Sequence, residues 1–155
     1  MEKDIEKSYN ELCKKFNLPK FKSIDEEFEI STLDTEKFLL SDILGKVAER
    51  LGFYIDVIGN LAHPDASSLS TMHEIRFFSD DEKSAMYKLF KKLMKYDRSI
   101  MELMLINDNS KNAEFLNHFF PEWIGLKKEI LVFIKKIKES WEKDTTIEED
   151  IGYLG

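Results

Sequence analysis

From Leu40 onward the apolar positions fall at Leu40, Leu44, Val47, Leu51, Tyr54, Ile58 and Leu61, in alternating steps of four and three. That spacing puts all seven on one face of an α-helix of 3.6 residues per turn. The pattern predicts a helix of about six turns. Asp34 is its expected N-cap, with Leu33 and Phe38 at staple positions. His63 and Pro64 end it, because proline disfavours helical geometry in the residue before it.

The same reasoning divides the rest of the chain. Ile5, Tyr9, Leu12 and Phe16 predict a first helix over 2–17, ended by Asn17-Leu18-Pro19. Within 18–33, Phe28, Ile30 and Thr32 alternate with Glu27, Glu29 and Ser31, a period of two. A single strand has no partner here, so this segment is expected to be an extended connector over a bundle. A short helix is expected within 66–76, turning Leu69, Met72 and Ile75 inward. Ser79 to Glu82 reads as a capping box that opens a long helix. Its seam is Met86, Leu89, Leu93, Tyr96, Ile100 and Leu103, widened by Phe90, Met94, Met101 and Met104. A shorter helix is expected near 111–120. Pro121 then either kinks it or opens the last long helix, whose seam is Trp123, Leu126, Ile130, Phe133 and Ile137. Short connections favour antiparallel neighbours. The expected fold is therefore all-α: an antiparallel bundle of three long helices plus two or more shorter ones. It forms a single domain over 1–143, followed by an acidic tail over 144–155.

One stripe resists this simple picture. Gly45, Gly52 and Gly59 recur every seven residues along the flank of the Leu40–Leu61 seam, beside Ala48, Ile55 and Ala62. Each interior glycine costs about 1 kcal/mol relative to alanine, so about 3 kcal/mol is given up. A close approach by another element would offset that. The approach is either internal, by a Phe-rich element or the connector, or external, by a second copy or a partner helix. The pattern alone leaves both open.

Composition narrows the chemistry. The chain has 155 residues, 23 Lys and Arg against 30 Asp and Glu, and a net charge of −7. Nucleic-acid affinity comes mostly from neutralising phosphates, so nucleic acid is a disfavoured partner. Cys13 is the only cysteine, which excludes an internal disulfide and a multi-cysteine zinc site. The longest purely apolar run, Ile130 to Ile134, is far short of a membrane span. No membrane association and no signal peptide are expected, and the expected compartment is the cytoplasm.

No catalytic set, metal site or cofactor site is expected. His63, His73 and His118 form no Glu-x-x-His or His-Glu-x-x-His pattern. Glu114 and His118 stand one turn apart, a weak metal pair at most. None of Arg50, Arg76 and Arg98 precedes a histidine at the spacing used by small α-helical ribonucleases. The acids at 25–27 and 80–82 fall in the connector and in a helix cap, away from the facing positions that hold magnesium in all-α pyrophosphatases. There is no phosphate-binding glycine loop.

Asp97 is surrounded in register by Leu93, Met94, Ile100, Met101 and Met104. A carboxylate there needs a partner, for which Arg50 or Tyr54 are candidates, or else a shifted pKa. The methionines of the same helix serve as core filler or as an adaptable groove. Lys127, Lys128, Lys135, Lys136 and Lys138 read as a solvated face. In the tail, Ile147, Ile151 and Leu154 recur at helical spacing among acids. That segment is suited to folding on a partner or back on its own chain. The expected function is a non-enzymatic helical interaction module or adaptor, as a homodimer or with a protein partner, through Gly45, Gly52, Gly59, Ile147, Ile151 and Leu154. The alternative is a small α-helical enzyme or ligand-binding protein with an internal pocket near Asp97.

Overall fold

The computed structural model describes residues 2–34 and 37–143. Their order is α1 (Glu2–Phe16), α2 (Phe21–Phe28), a 3-10 turn (Ile30–Thr32), α3 (Leu39–Ala62), α4 (Leu69–Ile75), α5 (Asp80–Ile106) and α6 (Asn109–Trp141). There is no strand among the described residues. The fold is an all-α helical bundle in which the long helices α3, α5 and α6 pack together. The chain forms two compact units, Met1–Gly52 with Tyr96–Gly125 and Phe53–Lys95 with Leu126–Gly155. Helix α3 passes from the first unit to the second, α5 returns, and α6 passes out again, which is the antiparallel order that short connections impose.

In the first unit, α1 buries Ile5 and Tyr9 and ends at Asn17, whose backbone is left-handed (φ 54°). The Asn17 N–H donates to the Cys13 carbonyl at 2.8 Å. The Tyr9 hydroxyl donates to the Pro19 carbonyl at 2.7 Å and fastens the link to α2. Helix α2 corrects the extended reading of 18–33. It buries Ile24 and Phe28, then stops at Glu29, again left-handed (φ 54°). That reversal lets Phe28 and Ile30 both turn inward without a strand, and Ser31 N–H closes the turn on the Asp25 carboxylate at 2.7 Å. Helix α2 is pinned by α6: Phe28 packs against Phe119 and Trp123, and the Trp123 indole N–H donates to Glu27 at 2.8 Å. Asn117 donates to the Phe16 carbonyl at 3.0 Å.

Two further expectations shift in this unit. Helix α3 begins at Leu39, not beside Asp34, and the Phe38 carbonyl accepts from Asp42 N–H at 2.9 Å. Phe38 is therefore an exposed terminal residue, not the inner half of a staple. Helix α6 runs unbroken through Pro121. The expected separate helix over 111–120 is its first third, and Asp108 caps it by accepting Lys111 N–H at 3.0 Å. Buried Phe119 and Trp123 flank the exposed proline, and each buried aromatic contributes about 1.5–3 kcal/mol, enough to hold a helix that proline alone weakens.

In the second unit, the expected capping box is present. Ser79 N–H donates to the Glu82 carboxylate at 3.0 Å and Glu82 N–H donates to the Ser79 hydroxyl at 3.2 Å. The core takes Ile58, Leu61, Met86, Leu89, Leu93, Leu126, Ile130 and Phe133. Helix α4 starts at a Ser68 cap and buries Thr71, His73 and Ile75. Leu69 is exposed and Met72 half-buried, so the inward face of α4 is rotated from the expected one. His73 Nε2 lies 2.9 Å from the Ser140 carbonyl, which can only accept, so that nitrogen carries a proton. Its ring packs 4.3 Å from that of Trp141, whose N–H donates to Glu74 at 2.8 Å. These contacts fasten α4 to the end of α6.

Candidate functional site

The three glycines do not share one environment. A Cβ added at Gly59 would stand 2.9 Å from Cε2 of Phe90, so α5 already uses the space that this glycine leaves. At Gly45 the nearest atom would be Cε of Met104 at 3.9 Å, an ordinary contact. At Gly52 nothing lies within 4 Å. The tail residues Ile147, Ile151 and Leu154 lie outside the described residues.

Asp97 finds its partner next door in sequence. Its Oδ2 lies 2.5 Å from Nη1 of Arg98, and neither Arg50 nor Tyr54 is the partner shown. Arg98 reaches on to the Met101 sulfur at 3.7 Å. His118 is exposed and faces Glu122 at 3.7 Å, one turn on, in place of Glu114. Among the described residues no group of three or more His, Cys, Asp and Glu side chains is placed to hold a metal ion. Burial pushes the Tyr9 phenol and the Cys13 thiol up. Burial, then the hydrogen bond to Glu122, raises Tyr96 to about 12. All three therefore keep their protons near neutrality and serve as hydrogen-bond donors, Tyr9 and Cys13 to the Pro19 carbonyl and Tyr96 to Glu122.

What the seam reading missed lies at the end of α5. Met101 and Met104, expected to widen the core face, are 54% and 44% exposed, and Leu105 and Ile106 are 89% and 45% exposed. Four large apolar side chains thus meet solvent within six residues of the first unit, beside Gly45. Leu105 lies off the Leu93–Ile100 seam, and that offset is the one sequence signal that marks it. In the second unit α6 shows Leu131 and Val132 to solvent among lysines.

The chain is an all-α helical bundle with large apolar side chains exposed on α5 and α6. No family model, curated protein or solved structure matches it. No helix among the described residues is long and apolar enough to cross a membrane.

Proposed function

We propose that the chain is a non-enzymatic helical interaction module that contacts a protein partner, a second copy of itself included, through the end of α5. The observation that carries this reading is the exposure of Met101, Met104, Leu105 and Ile106 together. Burying a leucine side chain is worth about 1.5–3 kcal/mol, which Leu105 forgoes in the isolated chain. Large apolar side chains exposed in close succession mark contact sites in soluble proteins when they join into a patch, and methionine adapts to varied partners. Gly45 supports the reading by keeping the α3 flank low beside Met104. In sequence, Ile147, Ile151 and Leu154 recur at helical spacing among acids, a pattern suited to a partner contact, although they lie outside the described residues. The Asp97 carboxylate, the motive for a ligand pocket, is met by Arg98, so its setting asks for no ligand.

The test is molar mass by light scattering behind a sizing column over a concentration series, with affinity capture run in parallel. Wild type should either gain mass with concentration or capture a partner reproducibly, and Leu105→Asp should abolish whichever occurs. A protein that stays monomeric, with identical capture by wild type and Leu105→Asp, sinks the proposal.

A further inference from the structure

Within the second unit, a shallow groove of about 300 Å³ runs between α5 and α6. Ala85, Lys88, Leu89 and Lys92 form one wall, and Glu129, Val132 and Phe133 form the other. The floor is apolar: Leu89 and Phe133 are buried, while Val132 is 63% exposed. On α6, Lys128 stands one turn before Val132, and Lys135 stands one turn after Leu131. Glu129 is the one acid in the lining, and Lys92 lies 3.4 Å from it, which offsets its charge.

The local balance at the groove differs from that of the chain: its lining holds two lysines against one glutamate, and Lys128 and Lys135 follow the same flank of α6, although acids outnumber bases in the whole sequence. An apolar trough flanked by lysines is complementary to one kind of guest. We infer that the α5–α6 groove docks an acidic amphipathic helix of a partner protein. The guest seats apolar side chains at i, i+3, i+4 and i+7 on Val132 and its neighbours, and its glutamates face Lys88, Lys92, Lys128 and Lys135. Within the groove lining the exposed apolar side chains, Ala85 and Val132, are aliphatic and give a nucleobase no ring to stack on. The surface is concave, whereas a lipid interface takes a convex apolar ridge. The inference uses none of the residues at the α5 end, so it and the proposed function fail independently.

The test uses the full chain and a labelled synthetic helix of leucine and glutamate, with leucine at i, i+3, i+4 and i+7. The control replaces every glutamate by lysine. Fluorescence anisotropy at low salt should show binding of the glutamate peptide and none of the lysine peptide. Val132→Glu should weaken binding about tenfold or more, and Lys88→Glu should weaken it in the same direction. Both positions are exposed, and circular dichroism confirms that each variant keeps its helices. Absence of binding overturns the inference, as does equal binding by wild type and Val132→Glu. Binding only to phosphatidylserine vesicles, or only to oligothymidylate, assigns the face to a membrane or a nucleic acid and overturns it too. A rise in peptide affinity when Ile147, Ile151 and Leu154 are all changed to serine would make the chain's own acidic segment the occupant, again against the inference.

Discussion

Replacing each stripe glycine by alanine separates three residues that the sequence presents as equals. In a helix interior the change gains about 1 kcal/mol from reduced backbone entropy in the unfolded chain. At Gly52 nothing lies within 4 Å of the new Cβ, so that gain stands uncorrected. At Gly45 the new methyl meets Met104 Cε at 3.9 Å, which adds a small contact. At Gly59 the Cβ would sit 2.9 Å from Phe90 Cε2, inside van der Waals distance. To move away, Phe90 would have to give up its edge-on packing against His63 at 5.6 Å. Overpacking of this kind costs about 1–3 kcal/mol, which cancels or exceeds the helix gain. Urea unfolding followed by circular dichroism should therefore show Gly52→Ala and Gly45→Ala stabilised by about 1 kcal/mol, and Gly59→Ala unchanged or destabilised by up to about 2 kcal/mol. Equal stabilisation at 52 and 59 would refute the Phe90 argument. A loss of stability at Gly52 that grows with protein concentration would show that a second copy covers it.

Three more outcomes follow from single contacts. Pro121→Ala should raise thermal stability by about 1–3 kcal/mol, because it restores a donor to the Asn117 carbonyl in an unbroken helix; a fall would mean that the proline bend seats Trp123. The Lys136 ammonium, 2.5 Å away, and the Ser79 N–H hold the Glu82 carboxyl below its ordinary 4.5, so its contribution to stability is full above that value and is lost as pH falls through the lower folded value. Glu82→Gln should then lower the urea midpoint near neutrality and flatten its acid limb, and an unchanged limb would refute the assignment. Asn112 is fully buried, and no described residue hydrogen-bonds its side-chain amide, so Asn112→Leu should gain about 1–3 kcal/mol in urea unfolding. A loss there would reveal a polar partner for the amide.

The long seams were legible because each keeps a helical period through residues that mostly become buried, as Leu40 to Leu61 and Met86 to Ile100 do with only Tyr54 and Tyr96 half-buried. The α2 region was not, for a definite reason. Phe28, Ile30 and Thr32 alternate like a strand, yet the alternation comes from a left-handed residue between a helix and a 3-10 turn. Glutamate rarely adopts that conformation, so nothing at Glu29 announces it. Asn17 adopts it too, and there the run Asn17-Leu18-Pro19 did mark the helix end. Pro121 offered a kink or a new start, and with Phe119 and Trp123 buried on either side of it no new helix starts there: α6 is continuous through the proline. His73 was hidden because a short polar helix carries no period long enough to show which face a neighbour covers.

The exposed apolar side chains were harder to read, since a seam reports what turns inward and says little about which residues stay outside. Net charge is silent about local balance in the same way. A value of −7 averages over the chain, but screening limits each charged group to roughly 8 Å at physiological salt, so the guest proposed for the α5–α6 groove would meet the lysines there and Glu129 before the acids elsewhere. The two proposed contacts therefore differ in a measurable way. The α5-end contact, centred on Leu105, is apolar, and excess salt should leave it unchanged or strengthen it. The groove contact depends on Lys88, Lys92, Lys128 and Lys135, and raising salt from about 0.05 M to about 0.5 M should weaken it by an order of magnitude or more. Opposite salt trends measured for the two on the same preparation would identify them as separate surfaces. Parallel trends would mean that one surface accounts for both.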